Sequence, residues 1–117
     1  MKKYLSFLLV SFIISSAVFG QYKSQLTETE WVDSVFKTLS KDEKITQLMV
    51  IRAHSNMGAD HVKKVEGLIK KYNVGGLVFF QGGPVRQANL TNHYQSIAKT
   101  PLMVTIDGEW GLGMRLD

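Results

Sequence analysis

The sequence predicts an α/β fold whose strands run parallel and are joined by helical crossovers. Two observations carry that prediction. Three short apolar runs, at residues 47–51, 75–80 and 102–106, have the continuous hydrophobicity of strands covered on both faces. Between them, residues 58–72 and 84–98 place apolar side chains at helical spacing. A strand, a helix and a further strand in that order need a crossover, and such crossovers are right-handed.

The first twenty residues read as a removable export signal. Lys2 and Lys3 form a positive start, residues 5–18 an apolar run, and Val18-Phe19-Gly20 a cleavage site with a small last residue. The run is shorter than the roughly 20 residues that span a bilayer, and polar Gln21 to Ser24 follow it. Cleavage after Gly20 removes two lysines, lowering the formal charge of the 117-residue chain from +4 to +2. The chain has no cysteine, which excludes disulfides, thiolate metal sites and a lipid-modified anchor. Lysine pairs such as Lys63-Lys64 and Lys70-Lys71 belong to solvated helix faces, with no aromatic interleaving of the kind nucleic-acid surfaces show.

The remaining elements follow in order. Thr27 and Glu30 form a capping-box pair ahead of Trp31, Val32, Val35, Phe36 and Leu39, which share a helix face. Ser40 and Glu43 repeat the signal and open a short second helix, leading into the run at 47–51. From Gly58 to Tyr72 the pattern is helical: Val62, Val65, Leu68, Ile69 and Tyr72 share a face with lysines opposite, and Asn73 stops the helix. Pro84 fits the first turn of the next helix, where its missing N–H costs nothing. Val85, Ala88, Thr91, Tyr94, Ile97 and Ala98 give that helix its inward face, and Thr100-Pro101 ends it.

Two architectures accommodate this order, a doubly wound sheet and the opening of a (β/α)8 barrel. Both gather ligands at the carboxyl ends of their strands. Those ends carry Arg52-Ala53-His54, Gln81-Gly82-Gly83 and Asp107-Gly108-Glu109. Asp107 is a site carboxylate or a turn cap, and Glu109 with Arg115 reads as a structural ion pair. His54, His61 and His93 lack zinc-ligand spacing and read as surface or loop histidines, so neither metal nor cofactor is expected. The glycines at 82–83 and 108–113 do not match the dinucleotide fingerprint. The sequon Asn89-Leu90-Thr91 falls within a predicted helix.

Three motifs in order carry a family resemblance. LSKDEKITQL (39–48) resembles the opening barrel segment of glycoside hydrolase family 3, and GGLVFF (75–80) that family's second strand. IDGEWGLGMR (106–115) resembles its sugar-binding turn, where D-x-E-G-G-x-x-x-R is common in the N-acetylhexosaminidase branch. The chain departs from the family pattern at Thr46, where Gly is frequent, at Trp110 in place of the first Gly of the pair, and at Leu112 in place of a frequent Arg.

The resemblance implies the first three strand-helix units of a (β/α)8 TIM-type barrel at residues 21–117, incomplete and preceded by the signal peptide. It implies an exported (periplasmic or extracellular) retaining glycosidase of the β-N-acetylhexosaminidase type, with a carbohydrate partner, no nucleic acid and, after signal removal, no membrane partner. Asp107 then binds hydroxyls of the terminal sugar, Arg115 also contacts substrate, and Glu109 supports the turn. Trp110 either faces a sugar ring or packs under the loop. A full barrel needs about 250 residues, so the nucleophile and the general acid/base are expected beyond this chain and the fragment alone is inactive. A β-glucosidase of the same family and a small exported α/β binding module are the alternatives.

Overall fold

The computed structural model describes residues 26–116. The signal-peptide expectation for residues 1–20 lies outside them. The chain divides into two compact units at Asp33/Ser34. At the start of helix α1 (Glu28–Thr38), the Thr27 amide donates to Glu30 Oε2 at 2.9 Å and the Glu30 amide to Thr27 Oγ1 at 3.3 Å, the expected capping box. No residue of α1 is buried, and Trp31, Val32 and Phe36 stay open.

The second unit begins within α1 and continues with α2 (Lys41–Thr46), β1 (Val50–Ala53), α3 (Gly58–Tyr72), β2 (Gly76–Phe79), α4 (Pro84–Ile97) and β3 (Met103–Ile106). Ser40 and Glu43 close the capping box of α2. The Glu43 carboxylate also receives Lys99 Nζ at 2.6 Å, and that bond, followed by the Ser40 amide, lowers its pKa to about 2. Helix α3 ends where the sequence predicts, with Asn73 in the left-handed conformation at φ 49°.

The three strands form a parallel sheet in the order β1-β2-β3. Helices α3 and α4 pack against each other. This stepwise order is consistent with part of a (β/α)8 barrel, and the first half of a doubly wound sheet shares it. Ile51, Leu77 and Val104 lie in register, as do Ala53, Phe79 and Ile106. Both rows belong to one hydrophobic core with Val65 and Ile69 of α3 and Tyr94 of α4.

Three expectations need correction. The first strand starts at Val50 rather than Gln47, because residues 47–49 form the exit turn of α2. There the amides of Gln47, Leu48 and Met49 return to carbonyls of Glu43, Ile45 and Thr46, and Leu48 is 86% exposed. Only β2 is buried along most of its length, since alternate residues of β1 and β3 face away from the helices. The inward face of α4 begins only at Leu90. Val85 and Ala88 are exposed, whereas Leu90, Tyr94, Ile97 and Ala98 reach the core.

Candidate functional site

Strand alternation builds the site. Arg52, Val78 and Thr105 are in register on the sheet face opposite the helices. Two residues further along each strand come His54, Phe80 and Asp107, which therefore occupy the same face at the carboxyl end. The ladder continues far enough to fix them: the Phe80 amide donates to the Ala53 carbonyl and the Asp107 amide to the Phe79 carbonyl, each at 3.1 Å.

After Asp107 the chain turns at residues 108–111, closed by the Gly111 amide on the Gly108 carbonyl at 2.9 Å. Gly111 has φ +95°, a conformation that L side chains avoid. A short 3₁₀ turn, Leu112–Met114, brings the chain back over the end of β2. There the Gly82 amide donates to the Arg115 carbonyl at 3.2 Å and Gln81 Nε2 to the Met114 carbonyl at 3.4 Å.

This return places Arg115 on Asp107. Its Nε donates to the Asp107 carbonyl and its Nη2 to Asp107 Oδ2 at 2.7 Å. The guanidinium carbon also lies 5.0 Å from the centroid of Phe80, within cation–π range. The ion pair expected between Glu109 and Arg115 is thus made by Asp107, because the turn carries Glu109 outward to an exposed position. The Asp107 side chain remains 37% exposed and that of Arg115 18% exposed. A carboxylate held in this way keeps acceptor capacity toward hydroxyl groups, and charge-assisted bonds of that kind are the strong ones. Trp110 is 85% exposed, so it does not pack under the loop.

Of the three histidines read as surface or loop groups, His54 does lie in the loop after β1, but it and His61 are partly buried. The His54 ring stacks on Phe80 at 5.8 Å and 24°, and its Nε2 is shielded from solvent without a hydrogen-bond partner among the described residues. His61, in the first turn of α3, accepts the His54 backbone N–H at Nε2, 3.1 Å away. Burial first, and then the charge of Arg52, lowers the pKa of both below 6.5. His93 is exposed, with Glu66 at 2.8 Å. The shared strand parity of His54, Phe80 and Asp107 is the sequence signal that finds this cluster. It becomes readable only once the strand boundaries are known.

Among the described residues no group of three or more His, Asp or Glu side chains is placed to hold a metal ion, and no helix is long and apolar enough to cross a membrane. A groove of about 320 Å³ lies between α4 and the loop after β3, lined by Pro84, Ala88, Thr91, Ile106, Leu112 and Leu116 among others. Neither Asp107 nor Arg115 lines it.

Comparison with known proteins adds one finding. The structure is similar to that of a beta-glucoside phosphorylase, BglX, solved bound to 2FGlc, with a TM-score of 0.56 and 26% sequence identity. The likeness is to a glycoside-processing enzyme. It covers 68% of this chain and 14% of that one, so the chain spans about one-seventh of the phosphorylase's length. No protein-family model and no curated protein matches the chain.

Proposed function

We propose that this chain forms the first three strand-helix units of a glycoside hydrolase family 3 barrel and binds the terminal sugar of a β-glycoside through Asp107 and Arg115. The observation that carries the reading is the Asp107–Arg115 fork, eight residues apart in sequence and joined at the carboxyl end of a parallel strand. The likeness to a glycoside-processing enzyme supports it. Within the family, the Asp107-to-Arg115 spacing favours the β-N-acetylhexosaminidase branch and a terminal N-acetylglucosamine-type sugar.

The described residues account for binding and orientation. Asp107 accepts sugar hydroxyls while Arg115 fixes its carboxylate, and exposed Trp110 offers an apolar face to the sugar ring. Retaining glycoside cleavage also needs a nucleophile and a general acid/base, and neither role is assigned to a described residue. A second reading, a β-glucoside-acting phosphorylase, is favoured by the neighbour's own activity. Export is proposed from residues 1–20 of the sequence, with a mature amino terminus at Gln21 that sequencing of the secreted protein checks.

The test is an assay of the protein expressed from its natural reading frame. Aryl β-N-acetylglucosaminide and aryl β-glucoside are supplied with and without inorganic phosphate. Phosphate-independent turnover of the N-acetylglucosaminide is the expected result. Sugar phosphate formed from the glucoside establishes the second reading. No turnover and no calorimetric binding of either sugar overturns both.

A further inference from the structure

We propose that His61 is a positioning residue which, as a neutral imidazole, holds the backbone of His54 at the carboxyl end of β1 and thereby fixes one wall of the sugar site. What is positioned rests on the function proposed above; the contact itself does not. A ring nitrogen that accepts an amide proton must carry its lone pair, so the 3.1 Å bond from the His54 amide to His61 Nε2 places the proton of neutral His61 on Nδ1. The two rings meet edge-on at 5.4 Å and 80°. The next residue is tied as well, with the Ser55 amide donating to the Gln81 carbonyl at 2.9 Å. Together these bonds join the exit of β1 to α3 on one side and to the end of β2 on the other.

The contacts then run on to the candidate site. His54 stacks on Phe80, the Arg115 guanidinium lies against the same ring, and Arg115 holds Asp107. Three contacts therefore connect the His54 ring to the Asp107 carboxylate.

The groups facing His61 all oppose its protonation. They are Arg52 from β1 and Lys64 from α3, with burial acting in the same direction. His54 is subject to burial and to the charges of Arg52, His61 and Arg115. Protonating His61 turns its acceptor into a donor that confronts the His54 N–H, so the tie is lost. The folded-state pKa of each histidine lies below 6.5, and the unfolded chain therefore takes up the proton first as the pH falls. The stability from the neutral forms is complete above about pH 6.5 and disappears as the pH drops through the folded values.

Hydrogen exchange of the His54 amide, corrected for the intrinsic pH dependence of exchange, tests the proposal alongside NMR titration of the histidine rings. In the natural protein, protection at His54 should fall about tenfold across the pH range, below about 6.5, in which the NMR titration shows the His61 ring taking up its proton, the loss of one backbone hydrogen bond. His61→Gln keeps a neutral acceptor of similar reach and should hold its protection across that range. His61→Ala should be poorly protected throughout, and if it does not fold, the Gln variant and the ring titration still decide. Two results overturn the proposal: protection that stays flat while the His61 ring titrates, or His61→Gln losing protection at the same midpoint as the natural protein. Because exchange needs no sugar, a protein that binds none can still pass this test, and an active glycosidase can fail it.

Discussion

At the residue scale the functional reading depends on what the Asp107 carboxylate does. Its partner is a side chain, Arg115, rather than the backbone of its own turn. Asp107→Asn keeps the shape and one acceptor but removes the charge. In an active glycosidase, loss of a charge-assisted bond worth roughly 1.5–3 kcal/mol lowers kcat/KM about ten- to a hundredfold. The ion pair is partly exposed and contributes at most about 1 kcal/mol to stability, so the melting temperature should change little. Early melting with normal turnover would make Asp107 a structural group. Trp110→Ala provides the companion measurement. An 85% exposed side chain contributes little to folding, so its removal should shift stability by less than about 0.5 kcal/mol. Sugar affinity, read by calorimetry, should fall clearly. Unchanged affinity would remove Trp110 from the site.

At the element scale, the two ends of the sheet differ in purpose. The amino ends are stapled together through the stop of α3. Asn73 is buried, its Oδ1 accepts the Thr100 amide at 3.2 Å and its Nδ2 donates to Thr100 Oγ1 at 3.1 Å. Gln47 Nε2 donates to the Asn73 carbonyl at 2.6 Å, and Thr46 Oγ1 donates to the Tyr72 carbonyl. Thr46 therefore clamps α2 to the end of α3. Gly75 passes so close to the Gln47 carbonyl that a Cβ would sit 1.9 Å from it. Asn73→Gly and Asn73→Ala should each cost about 1–3 kcal/mol, because Thr100 loses its partner in a buried place. Alanine should cost about 1 kcal/mol more, since it also strains the left-handed backbone that glycine accepts. Urea unfolding with an unchanged slope measures both. Equal losses would show that the conformation at residue 73 carries no strain.

At the scale of the whole molecule, the sheet is covered on one face and open on the other. Val50, Arg52, Thr105 and Met103 are exposed on the open side, with Met103 at 58%. β1 and β3 each pair on one side only among the described strands. Exposed strand edges beside an apolar surface promote pairing between chains. The purified 117-residue chain is therefore expected to associate as its concentration rises, and Met103→Lys should reduce that association by placing a charge on the open face. Light scattering across a dilution series reads both. A strictly monomeric natural chain would show that the open face is covered in some other way.

The sequence by itself determined the order of elements, the stop of α3 at Asn73, the caps at Thr27 and Ser40, and the placing of Asp107 at a strand's carboxyl end. Each is a local property, set by capping chemistry, by φ preference or by the spacing of apolar residues over one or two turns. Only the tertiary structure decided where the first strand begins, where the inward face of α4 begins, and that Arg115 chooses Asp107 over Glu109. It also decided that the loop residue His54 stacks on Phe80. The reason is common to all four. Strand pairing in register, the path of a loop and the partner of a charge depend on residues far apart in the chain, such as Ala53 with Phe79 or Gly82 with Arg115. Local periodicity holds no record of those distances, so packing alone brings the charges and rings of the site together.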